Sequence, residues 1–71
     1  MYTVYTKDNC PQCVQAKSLL DSKGIPYASY KIGEDIELSD FKARYPEVRS
    51  VPFILKGEEV IGGLMELRKS V

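Results

Sequence analysis

Apolar and polar positions follow two different periods along this chain. Tyr2-Thr3-Val4-Tyr5-Thr6 is β-branched or aromatic throughout and predicts a strand. Lys7-Asp8-Asn9 is a polar loop. The period then lengthens. Cys13, Ala16 and Leu20 fall at steps of three and four, with Leu19 beside them, and define one helical face. Pro11 suits the first helical position, where no N–H is needed, and Gly24 and Pro26 stop the element. The pattern therefore predicts a helix from Pro11 to Lys23. Tyr27 to Ile32 sets Ala28, Tyr30 and Ile32 against Tyr27, Ser29 and Lys31, as in a strand with one better-buried face, and Gly33 breaks it. A second helix runs from about Leu38 to Tyr45 and ends at Pro46. Glu34, Asp35, Glu37 and Asp40 crowd its start, where the positive end of the helix dipole favours acids. A solvated acidic helix start is the reading favoured over a binding patch. Phe53 to Lys56, the Gly57-Glu58 turn and Glu59 to Ile61 read as a hairpin, broken by Gly62-Gly63. Leu64, Leu67 and Val71 space out a short last helix.

The order is βαβ-α-ββ-α, an α/β fold with a four-stranded mixed sheet flanked by helices. The βαβ unit implies a parallel pair with a right-handed crossover, and the hairpin adds antiparallel strands. Seventy-one residues without repeat, low-complexity tract or linker make one domain, residues 1–71. Val, Ile, Leu and Phe supply 19 of the 71 residues, above the ~20% level below which disorder is the better reading. Ten Lys and Arg balance ten Asp and Glu. No net field therefore draws the chain to nucleic acid or to a membrane surface. No apolar run approaches the roughly 18 residues of a membrane span, and Met1 to Cys10 lacks a signal-peptide core. A cytoplasmic protein is expected.

The chain has no histidine and two cysteines. Cys–His and Ser–His nucleophile pairs and imidazole metal sites are excluded, and one chain cannot build a four-thiolate zinc site. A Cys10–Cys13 bridge closes a four-residue loop, which chain entropy makes worth about 2 kcal/mol against ~3 for a 15-residue loop. Such a bridge is a weak staple for so small a domain, so the core must hold the fold.

Cys10-Pro11-Gln12-Cys13 points to chemistry instead. Two cysteines three apart on a first helical turn can reach each other. Cys10 sits just before the helix, where unpaired N–H groups and the dipole lower a thiol pKa from ~8.5 toward 7 or below. Its thiolate would attack a disulfide, and Cys13 is placed to resolve the mixed disulfide. Lys7 adds positive charge nearby and Asp8 opposes it. Half of an intermolecular zinc site, or two buried cysteines without redox chemistry, remain alternatives at this stage. Ser50-Val51-Pro52 puts a proline at a strand start, which by itself says little.

Taken together, Lys7 before Cys10-Pro11-Gln12-Cys13, then Ser50-Val51-Pro52, then Gly62-Gly63, resemble the glutaredoxin family over nearly the whole chain. Proline directly after the first cysteine looks like glutaredoxin, whereas thioredoxin carries Gly-Pro between its cysteines, a preceding tryptophan and a longer chain. The resemblance implies a thioredoxin-like fold and a dithiol–disulfide oxidoreductase. Cys10 would be the nucleophile and Cys13 the resolving thiol. Pro52 would be cis and face the cysteines, and the backbone of Val51 would pair with glutathione by strand addition. Lys7 would meet a glutathione carboxylate, and Pro11 and Gln12 would border the tripeptide. Gly63, Leu64 and Met65 would hold its γ-glutamyl end. Glutathione would be a co-substrate, with no cofactor bound. The partners implied are disulfide-containing proteins, ribonucleotide reductase among them, and the chain would be a monomer.

The chain also departs from the family pattern. Gln12 stands where the family often has an aromatic, and resembles the redoxins that serve ribonucleotide reductase and are reduced by thioredoxin reductase. Leu64 and Met65 replace the Ser, Thr or Asp usual after the two glycines. Glu66 is then a helix-start acid or an acceptor for an amino group. Ser39, Lys42, Arg44 and Arg49 are the residues nearest to where the family meets the glycine carboxylate. The rival readings are a thioredoxin-reductase-dependent redoxin, a metal or iron–sulfur scaffold through Cys10, and a non-catalytic interaction module.

Overall fold

A computed structural model describes residues 1–71. Its elements are β1 (Tyr2–Thr6), α1 (Pro11–Ser22), β2 (Tyr27–Lys31), α2 (Leu38–Arg44), β3 (Phe53–Lys56), β4 (Glu59–Gly62) and α3 (Leu64–Ser70). The sheet order is β2-β1-β3-β4. β1 pairs β2 in parallel and β3 antiparallel, and β3 pairs β4 antiparallel, which is the mixed thioredoxin-like sheet expected. No helix is long and apolar enough to cross a membrane.

The period-two pattern of β1 and β3 sends alternate residues into two cores. Val4 and Ile54 face α1 and α3, and cluster with Ala16, Leu20, Leu64 and Leu67. Tyr5, Phe53 and Leu55 point the other way and bury Phe41 of α2. Tyr5 and Phe41 ring centroids lie 4.9 Å apart, and Tyr45 and Phe53 5.0 Å. Tilted pairs of this kind add ~0.5–1.5 kcal/mol each beyond burial. Burial pushes the Tyr5 phenol above its usual pKa, with neighbouring Tyr45 acting in the same direction.

The element ends shift by a residue in several places. Lys23 and Tyr45 are C-caps rather than helical residues. β2 stops at Lys31, and Ile32 makes only a single bridge to Ile36. β2 also lacks the expected buried face: Tyr30 is 42% exposed. The reason is position, since β2 is an edge strand and α2 lies over Tyr5 and Phe53 farther in. Gly57, at φ +62°, occupies the first central position of the two-residue hairpin turn, as a type II′ turn requires.

Gly62 ends β4 instead of preceding a break. The register shifts between Ile54 and Leu55, so Ile61 is an extra residue that bends the strand toward α3. Gly62 has φ +120°, and a Cβ there would stand 2.9 Å from Glu66 Cγ. Gly62→Ala should therefore cost about 1–3 kcal/mol in urea denaturation. Gly63→Ala, whose Cβ would meet Glu66 Oε1 at 3.3 Å without a positive φ, should cost less. Equal costs would show that crowding by Glu66, not backbone conformation, decides.

Candidate active site

The site forms where β1 hands over to α1. Asn9 takes φ 53°, a conformation its short polar side chain tolerates, and turns the loop into the helix. Cys10 is the N-cap residue with extended backbone, and Pro11 is the first helical residue. The Cys10 carbonyl accepts from the Cys13 and Val14 N–H groups at 3.1 and 3.3 Å. That geometry puts Cys13 one turn inward, with Cα atoms 5.3 Å apart, and the two sulfurs are joined in a disulfide.

The two sulfurs differ in environment. Cys13 is 2% exposed, whereas Cys10 is half-buried at the mouth of the site. The Cys13 N–H donates to Cys10 Sγ at 3.2 Å. α1 has no acidic residue in its first turn. The N–H donated by Cys13, a twelve-residue helix pointing its positive end at Sγ and no local acid on that turn all favour a thiolate at Cys10 once the bridge is reduced.

The loop before β3 closes the site from the other side. The Val51–Pro52 peptide bond is cis, as the resemblance implied. Pro52 is buried, Val51 is half-buried, and the Val51 carbonyl oxygen lies 3.8 Å from Cys10 Sγ. Gly63 stands beside this loop, since a Cβ there would lie 3.7 Å from the Pro52 carbonyl. An open groove of about 280 Å³ runs from Val51 between Lys7, Lys42 and Arg49, floored by Phe41 and Val48. The sequence offered Lys42, Arg44 and Arg49 without distinction. The structure brings Lys42 and Arg49 to this groove, and sends Arg44 to a separate hollow with Tyr30 and Val60.

The remaining expected residues are spread more widely. Gln12 is exposed on the first turn and lines neither this groove nor the hollow beside Cys13. The Leu64 side chain belongs to the core, so only its backbone faces outward, and Met65 is 66% exposed. Glu66 Oε1 accepts from the Gly63 N–H at 2.8 Å, which settles it as a helix-start acid and forms half of a capping box.

One pairing near the cysteines was invisible in the spacing of charges. Asp8 does not oppose Lys7 freely, because Lys31 Nζ lies 2.6 Å from Asp8 Oδ1 and 3.5 Å from Glu34 Oε2. The Asp8 contact holds the Lys31 ammonium above its usual pKa, so it stays charged through the physiological range. The parallel register, with Thr6 opposite Lys31, was the signal that could have found it.

A sequence model of the glutaredoxin family matches residues 2–61. The chain is 40% identical over 65 residues to a Synechocystis protein named probable glutaredoxin, covering 90% of this chain and 60% of that one. It thus spans about three-fifths of that relative's length. It is 33% identical over 64 residues to glutaredoxin 3 of Escherichia coli K12, covering 90% of this chain and 77% of that one. The crystal structure of a buckwheat glutaredoxin–glutathione complex superposes with a TM-score of 0.84 at 24% identity, over 97% of this chain and 66% of that one. A dithiol on a helix start, a cis proline opposite it and this match to the family agree: the chain belongs to the glutaredoxin family, whose members are thiol–disulfide oxidoreductases.

Proposed function

We propose that the chain is a glutathione-dependent dithiol–disulfide oxidoreductase that reduces protein disulfides and glutathione mixed disulfides. The observation that carries this reading is the Cys10–Cys13 disulfide, with its outer sulfur at the α1 N-terminus and facing the Val51 carbonyl. In the reduced enzyme the Cys10 thiolate attacks a substrate sulfur. A new S–S bond forms, the substrate bond breaks, and the leaving thiolate takes a proton. The Cys13 thiolate then attacks Cys10 Sγ and expels the second substrate thiolate. Two electrons have passed to the substrate, and Cys10–Cys13 is the oxidised product. Two glutathione molecules return the electrons and leave as their disulfide.

Val51 offers backbone for strand addition to the cysteinyl part of glutathione, and Lys7, Lys42 and Arg49 offer positive charge to its glycine carboxylate. Pro11 and Pro52 would border the sulfur, and Gln12, exposed on the same first turn, would meet a substrate only outside the two hollows. Gly63, Leu64 and Met65 offer backbone to the γ-glutamyl end. No resident cofactor takes part. On this reading the protein works as a monomer of one domain, residues 1–71, in the cytoplasm, and ribonucleotide reductase is a candidate protein substrate.

A second reading, a redoxin served by thioredoxin reductase, draws support from two observations. Glu66 is engaged by Gly63, and Leu64 is buried, so the γ-glutamyl end has few free side chains to meet. Coupled NADPH oxidation separates the two. Turnover with glutathione and glutathione reductase is expected. Turnover with thioredoxin reductase alone would overturn the glutathione reading and leave Cys10 and Cys13 in the same roles.

A further inference from the structure

The disulfide opens onto a second groove, on the side away from Val51. Its volume is about 560 Å³, and Lys7, Cys10, Cys13, Val14, Lys17 and Lys31 line it. Of these only Lys7 also lines the groove that holds Lys42, Arg49 and Val51. The two hollows therefore occupy different surfaces, one reaching both cysteines and the other reaching Val51.

Asp8 lines it too, but its carboxylate is taken by Lys31, so the charge left over is positive. Lys31 is spent on Asp8 and Glu34. Lys7 and Lys17 have no carboxylate within 4.0 Å, whereas Lys31 meets its partners at 2.6 and 3.5 Å. Between these two free ammonium groups, Val14 is 62% exposed one turn beyond Cys10. An exposed valine flanked by unpaired cations is a surface for a segment that brings acids and one apolar side chain. Glutathione carries a single residue on each side of its cysteine, and on the proposed reading the other groove accommodates it. A protein disulfide has polypeptide running on from both sides of its cysteine, so it occupies both.

We propose that this second groove docks an acidic segment next to the target cysteine of a protein substrate, with Lys17 and Val14 setting that preference. The proposal rests on the oxidoreductase reading and deepens it. The exchange itself is unchanged; the groove acts on encounter and on holding the mixed disulfide in place.

The test uses three synthetic disulfide peptides, identical except for Asp-Asp, Ser-Ser or Lys-Lys beside one cysteine, and the mixed disulfide of glutathione with 2-mercaptoethanol as a small substrate. At low salt, kcat/KM should favour the Asp-Asp peptide over the Lys-Lys peptide by about tenfold, and molar salt should flatten the difference. Lys17→Glu should slow the Asp-Asp peptide about fivefold and speed the Lys-Lys peptide, while Lys17→Arg keeps the wild-type order. The small mixed disulfide should change by less than about twofold, because Lys17 lies off its groove. Equal rates for the three peptides, or Lys17→Glu slowing all substrates alike, would overturn the docking surface alone. No turnover of any of the four substrates by the wild type would overturn the oxidoreductase reading and the docking surface with it.

Discussion

Cys10→Ser should abolish thiol–disulfide exchange with every substrate, while Cys13→Ser should keep the reduction of glutathione mixed disulfides and lose the reduction of protein disulfides. The first half follows from nucleophilicity. A serine hydroxyl is not ionised at neutral pH, and the chain has no histidine to act as its base. Activity should fall by at least about a thousandfold, equivalent to ~4 kcal/mol of barrier. The fold should survive, because serine is a preferred N-cap and can accept from the Cys13 N–H as Cys10 Sγ does. The second half follows from access. Cys13 is 2% exposed and cannot meet an incoming disulfide, yet it can reach Cys10 Sγ. Without it, glutathione itself can resolve a glutathionylated Cys10, whereas a protein bound through a mixed disulfide stays trapped. Stopped-time assays on a glutathione mixed disulfide and on a protein disulfide separate these outcomes. Cys13→Ala is the control for a buried hydroxyl. Should both cysteine variants be equally inactive toward the glutathione mixed disulfide, the roles given to the two sulfurs are wrong.

Much of this site could be read before any coordinate. The CxxC pair and its place on a first helical turn stood in the sequence as local patterns, whereas the Pro52 loop gained meaning only through the family resemblance. Backbone hydrogen bonds of an N-cap depend only on neighbours, so Cys10 and Cys13 needed no tertiary information. β1, α1 and the hairpin were also legible locally, from β-branched and aromatic content in β1, a three-and-four spacing in α1 and the Gly57 turn of the hairpin. What the sequence hid depends on which strands are neighbours. Tyr30 looked like a buried position until the sheet order made β2 an edge. Asp8 looked like a rival of Lys7 until the parallel register brought Lys31 beside it. Lys42, Arg44 and Arg49 sit within eight residues of each other, and only the fold of the segment after α2 sends Arg44 away from the other two. Lys17 and Val14 lay on the polar side of a helix and carried no signal as single residues. Their meaning comes from the groove they share with the sulfurs.

The same dependence on tertiary contacts makes Leu67→Ala the most damaging core substitution expected. α3 has seven residues, far below the length at which a helix holds itself in water, so its packing must fix it. Leu67 is 0% exposed and clusters with Val4, Ala16, Leu20, Ile54 and Leu64, bringing together α1, α3 and the middle of the sheet. Truncation to alanine removes three buried carbons and leaves a cavity between rigid neighbours. The loss should be about 3–4 kcal/mol. That is a large part of the roughly 5–10 kcal/mol available to a small domain. It should also exceed the effect of reducing Cys10–Cys13, whose four-residue loop is worth only about 2 kcal/mol. Urea denaturation of wild type and Leu67→Ala, each oxidised and reduced, gives both quantities in one experiment. Val60→Ala, at a residue 58% exposed on the edge strand, should stay within about 0.5 kcal/mol of wild type. Since α3 begins at Gly63 beside Pro52, loosening it also frees the loop that faces Cys10. Leu67→Ala should therefore lose turnover at urea concentrations where the wild type is still folded and active. A Leu67→Ala loss below about 1 kcal/mol would mean that α3 is dispensable to the core.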